Sequence, residues 1–165
     1  AFDMFFISTF SKRSIRFLAK AELFRNPFCR FIFRGAGAIP INRKAAGVES
    51  VNEVISTLEK GSPVGIFPQG TRIPGKDPAE TKIKSGIGLI AYHSKATVLP
   101  VFIGAKGMKV RPFRKTEVRF GKPIAFDELD FENGGAEEYR RASELIFDRI
   151  CELGADISKT AEEKQ

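Results

Sequence analysis

The apolar run Pro63-Val64-Gly65-Ile66-Phe67 stops against Pro68, and Gly70 follows two residues later. A short apolar run bounded by turn residues predicts a buried strand, and a proline, which has no N–H to donate, ends its pairing. Runs of this kind recur at Ser14–Ala19, Ala38–Ile41 and Thr97–Ile103, and Val118 and Phe120 alternate with Glu117 and Arg119 in a last one. Between them the apolar spacing turns helical. Phe24, Phe28, Phe31 and Ile32 share one helical face behind Asn26-Pro27, and Gly35 and Gly37 end it. Val51, Val54, Ile55 and Leu58 precede Gly61, Ile87 to Ala91 follow Ser85-Gly86, and Tyr139 to Leu153 make a terminal amphipathic helix. Asp3 to Phe10 reads as a further short helix capped by Asp3, and Ser158–Gln165 as a frayed end. Strands alternating with helices predict an α/β fold with a mixed, largely parallel sheet flanked by helices.

Ligands in open α/β sheets bind beyond the carboxyl ends of the strands. Lys20, Arg43 and the stretch Gln69-Gly70-Thr71-Arg72 all follow predicted strands. An arginine fork suits phosphate, and a glycine lets the backbone come close to a ligand. The Lys84-Ser85-Gly86 helix start offers backbone N–H groups for an anion or is a plain helix start. The segments 68–82 and 104–114 read as long loops.

A chain of 165 residues suits a single domain. Cys29 and Cys151 have no metal-ligand spacing and read as free thiols of a reducing compartment. The sequence shows no paired carboxylates, metal cluster or Walker-type loop, Gly35 and Gly37 are too few for a dinucleotide fingerprint, and His93 reads as a solvated helix residue. Net charge is concentrated. Residues 1–45 hold nine Lys/Arg and two acids, which is the whole net charge of +7, together with nine of the sixteen phenylalanines. Phenylalanine interleaved with basic residues suits an anionic membrane surface or a phosphate-bearing amphiphile. It also suits single-stranded nucleic acid, or simply core aromatics behind a solvated charged face.

Phe67-Pro68-Gln69-Gly70-Thr71-Arg72 resembles the third sequence block of the glycerolipid acyltransferase family, which usually has Glu at the position of Gln69. Gly37-Ala38-Ile39-Pro40-Ile41-Asn42-Arg43 resembles the second block and Val98–Ile103 the fourth, in the same order. Phe17–Leu23 and Arg119–Pro123 resemble further stretches, so the likeness covers roughly residues 1–125. The first block sets a histidine five residues before an aspartate. Asp3 fits the aspartate, and the histidine would fall three residues upstream of Ala1. The resemblance therefore implies a chain cut inside its catalytic block and inactive as it stands.

What the resemblance implies is acyl transfer from a thioester, acyl-CoA or acyl-carrier protein, to the free hydroxyl of 1-acylglycerol-3-phosphate, giving phosphatidic acid. A histidine base would take the hydroxyl's proton, with Asp3 holding its imidazole. Arg43, Arg72 and Lys20 would bind the acceptor phosphate, and Gln69, Gly70 and Thr71 would position the substrate. Gln69 has no negative charge and so cannot act as a base. No cofactor, metal or nucleic acid is implied, and the working place is the cytoplasmic face of an anionic membrane. Other glycerolipid acyltransferases, or a non-catalytic domain binding anions or nucleic acid, are the alternatives.

Overall fold

The sheet forms around the strand Arg16–Lys20. The structure, a computed structural model, describes residues 14–35, 37–41, 48–70, 81, 83–105 and 116–162. Of Lys20, Ile41, Val48, Ala105 and residues 157–162 it describes the backbone alone. The expected helix Asp3–Phe10 lies outside the described residues. The chain divides into two compact units, Ala1–Ile66 and Phe67–Gln165.

In the first unit, β1 (Arg16–Lys20) lies between β2 (Ile39–Ile41) and β3 (Val64–Gly65), and both pairings are parallel. The register sets Leu18 opposite Ile39 and Lys20 opposite Ile41 on one side, and Phe17 opposite Gly65 on the other. Parallel neighbours need a crossover, which helices α1 (Pro27–Gly35) and α2 (Val48–Glu59) supply. Asn26 caps α1, its Oδ1 accepting from the Phe28 and Cys29 N–H groups at 2.9 and 3.3 Å. Both helices end in a Schellman arrangement around a left-handed glycine, Gly37 at φ +64° and Gly61 at φ +76°. The six-to-one bonds run from Ala38 N–H to the Phe33 carbonyl, and from Ser62 N–H to that of Thr57. Phe17, Ala19, Ile39, Val54 and Thr57 are buried. A Cβ on Gly65 would enter the Phe17 ring, so the strand needs glycine there.

Phe24 departs from the expected helical face. It sits in the 3-10 turn Ala21–Arg25 that precedes α1, and its ring lies 5.8 Å from that of Phe33. Phe28 and Phe31 point elsewhere and are exposed. The proline at position 27 starts a new helix instead of continuing the turn before it.

The second unit holds α3 (Gly86–Ser94), the antiparallel pair β4 (Val101–Ala105) and β5 (Thr116–Phe120), and α4 (Ala136–Glu162). Two of the three strand pairings among the described residues are thus parallel, within a mixed α/β architecture. The expected strand Thr97–Ile103 is split at Pro100. Val98 makes an isolated bridge to Ile124, and regular pairing resumes at Val101. The Pro100 carbonyl still accepts from Gly121 N–H at 2.9 Å. Helix α4 runs to Glu162, into the stretch the sequence reads as a frayed end. Ala91, Ile124, Leu129, Ala142 and Ile146 form the core. Arg119 ties β5 to α4 through Asp156 and the Leu153 carbonyl, and its bonds to the Asp156 and Glu117 carboxylates raise its pKa. Glu138 accepts from the N–H groups of Glu132, Gly134 and Asn133, which hold its carboxyl below its ordinary value.

Close approach of α3 to α4 depends on Gly88. Its N–H donates to Ser143 Oγ at 2.9 Å, and that hydroxyl donates to the Tyr139 carbonyl at 2.7 Å. A Cβ on Gly88 would strike the Tyr139 carbonyl, which belongs to a helix and cannot rotate away. Overpacking of this kind costs about 3 kcal/mol. Gly88→Ala should therefore lower the melting temperature markedly in thermal unfolding. Gly86→Ala should change stability by no more than about 0.5 kcal/mol, since a Cβ there meets no atom of the described residues within 4 Å.

Candidate active site

Lys20 is the last residue of β1 and pairs with Ile41, the last residue of β2. Because the pairing is parallel, both strands leave the sheet at its carboxyl edge, and β3 runs in the same direction. Sequence order puts Asn42-Arg43 directly after Ile41. Polar groups of β1 stand at its ends, with exposed Arg16 at the start and Lys20 at the exit, while Phe17 and Ala19 between them are buried. Polar chemistry at this edge needs no buried charge within the sheet.

Beyond β3, in the second unit, the chain turns at once. Gly70 N–H donates to the Phe67 carbonyl at 3.0 Å, closing a four-residue turn with Pro68 at its second position. Proline presets the required φ, and Gly70 at φ +66° takes the left-handed conformation. Gln69 Nε2 donates to Thr81 Oγ1 at 2.8 Å, across twelve residues of sequence. Lys84 N–H donates to the Pro68 carbonyl at 3.4 Å. The stem of Lys84 crosses Gly70, with Cε 3.8 Å from where a Cβ on that glycine would stand. The turn is thus held at three points by the segment that leads into α3. Ser85, at the start of that helix, makes no side-chain cap.

Of the residues singled out from sequence, Lys20 ends its strand as expected, and Gln69 and Gly70 are adjacent in the anchored turn. Asp3, Arg43, Thr71 and Arg72 lie outside the described residues. Thr81 and the stem of Lys84 were missed. Each meets its partner across more than ten residues of loop, where no periodicity links the two. His93 is exposed on α3, its ring edge-on to Tyr92 at 5.2 Å.

With this geometry in view, comparison with known proteins defines the class. The sequence model of the Acyltransferase family matches residues 1–104. The chain belongs to that family, and the α/β fold read from the sequence is borne out. It is 31% identical over 142 residues to the 1-acyl-sn-glycerol-3-phosphate acyltransferase of Bacillus subtilis strain 168, covering 84% of this chain and 68% of that protein. It is 35% identical over 101 residues to the protein of the same name from Borreliella burgdorferi, covering 59% of this chain and 39% of that one. Among solved structures it is similar to the crystal structure of the 1-acyl-sn-glycerophosphate acyltransferase PlsC from Thermotoga maritima. The TM-score is 0.57 at 26% identity, covering 84% of this chain and 56% of that one.

Among the described residues a Cβ on Gly70 would meet only the flexible Lys84 stem, at ordinary van der Waals distance, so the cost of replacing Gly70 lies mainly in its backbone conformation. A left-handed conformation costs a residue with a Cβ about 1 to 2 kcal/mol, and asparagine less. Gly70→Ala should therefore lower stability by about that amount and Gly70→Asn by clearly less, read by chemical denaturation. If the two cost the same, Gly70 is needed for space and not for its φ.

Proposed function

We propose that this chain belongs to a protein with 1-acylglycerol-3-phosphate acyltransferase chemistry. It moves an acyl group from a thioester, acyl-CoA or acyl-carrier protein, to the free hydroxyl of lysophosphatidate. The observation that carries the reading is the chain's membership of the Acyltransferase family, with the family's blocks falling in order. The parallel register of Lys20 with Ile41 supports it, because Arg43 follows that strand exit by two residues.

A hydroxyl attacks a thioester carbonyl only as its proton leaves. In this reading the family's histidine takes the proton, and Asp3 holds the imidazole in the tautomer that can accept it. The glycerol oxygen bonds to the acyl carbon, the carbon–sulfur bond breaks, and the thiol regains the proton. No serine or cysteine is acylated on the way. Arg43, Arg72 and Lys20 bind the phosphate and thereby decide which hydroxyl meets the base. Gln69, Gly70 and Thr71 set the position of the adjoining Arg72. The reaction takes place at the cytoplasmic face of an anionic membrane, where the acceptor and product reside. The +7 charge of residues 1–45 supports that placement.

Arg72→Lys in the protein's full chain tests the phosphate role, because lysine keeps the charge and loses the planar fork. Losing one charge-assisted bond costs roughly 1.5 to 3 kcal/mol, or about ten- to a hundredfold. That loss should appear in kcat/KM for lysophosphatidate, with the KM for the acyl donor and the melting temperature little changed. Acceptor kinetics equal to wild type would return Arg72 to an ordinary surface charge.

A further inference from the structure

Helix α1 presents an apolar surface to solvent. Phe28 is 71% exposed, Phe31 80% and Ile32 44%, and Leu23 in the turn before them is 40% exposed. These are four of the seven exposed large hydrophobic residues among those described, and they fall within ten positions. They form a patch, where scattered single residues would need no explanation. No residue of α1 is buried. At about 100° per residue Phe28, Phe31 and Ile32 share one face, while half-buried Cys29 and Phe33 lie on the side toward Phe24. Arg30 and Arg34 flank Phe31 on the remaining side. Both line an open hollow of about 400 Å³ with Phe24, Ala38, Pro40 and Glu53.

We propose that α1 is a membrane-docking helix, lying in the plane of an anionic bilayer with Phe28, Phe31 and Ile32 among the acyl chains and Arg30 and Arg34 at the lipid phosphates. An interfacial helix needs an apolar face bordered by cations, and its length is not the deciding property. Phenylalanine at the acyl boundary leaves no polar group unpaired there, and arginine stems reach up to the headgroups. A second copy of this chain fits the patch less well. The four side chains expose roughly 400 Å², against about 800 Å² per partner in a stable interface. Two copies would also bring two +7 segments together. The inference rests on the membrane-surface part of the function proposed above and on none of its acyl-transfer chemistry.

The chain has no tryptophan, so Phe31→Trp places a single fluorescent reporter on α1. On adding vesicles of phosphatidylglycerol and phosphatidylcholine, the emission of this indole should shift to the blue and be quenched by lipids brominated in their acyl chains. Vesicles of phosphatidylcholine alone should give a much weaker response. The double change Phe28→Ser with Phe31→Ser should weaken partitioning to the anionic vesicles at least about tenfold in co-sedimentation, with an unchanged circular dichroism spectrum. Anionic vesicles that bind the Phe31→Trp protein while its emission stays water-like would overturn the role of α1 and leave the membrane reading standing. A wild-type chain that binds no anionic vesicle would overturn both. Blue-shifted emission from the Phe31→Trp protein without lipid, in a chain that sediments as a dimer, would assign the patch to a second copy instead.

Discussion

Parallel pairing of β1 with both of its neighbours is the constraint from which the first unit follows. Along β1, Phe17 and Ala19 share one buried face, Leu18 on the other face is half-buried, and the charged residues Arg16 and Lys20 stand at the two ends. Parallel neighbours cannot be joined by a hairpin, so helices must intervene between the strands. A shared strand direction brings the carboxyl ends of β1 and β2 to one edge, where β1 closes with Lys20. The close fit of Phe17 over Gly65 fixes the register on which this depends, since a slip by one residue would turn every side chain to the opposite face.

The turn after β3 solves a different problem. A turn outside the sheet has no ladder to hold it and needs other partners for its polar groups. Here Pro68 and Gly70 shape the backbone, Gln69 is tied to Thr81, and Lys84 lies across the glycine. Glutamine suffices for this tie, because its amide donates to a hydroxyl. A glutamate at the same position would have to accept from that hydroxyl, reversing the bond without removing it.

Much of the fold was legible in the sequence because local rules governed it. Asn26 before Pro27, the glycines at positions 37 and 61, and the strand ending at Lys20 each follow from interactions spanning a few residues. Features set by distant contacts were hidden. Phe24 left the expected helical face because a new helix started at Pro27, and Pro100 split a strand that hydropathy alone reads as continuous. The dependence of α3 and α4 on Gly88 joins residues more than fifty positions apart. Lys20, Gln69 and Gly70 were singled out from strand ends and motif blocks, and the structure sets Lys20 at the end of β1 and Gln69 and Gly70 in the turn after Phe67. Thr81 gave no signal, and Lys84 was read only as part of a helix start, since nothing local shows that its stem crosses Gly70.

Phosphate recognition is the central claim, and acceptor choice tests it most directly. The protein's full chain would be given one acyl thioester and equal amounts of lysophosphatidate and the matching monoacylglycerol, which has the same hydroxyl and no phosphate. Two or more charge-assisted contacts at about 1.5 to 3 kcal/mol each predict a preference of at least about a hundredfold for lysophosphatidate, measured as the ratio of acylated products. Equal acylation of the two acceptors would contradict the account.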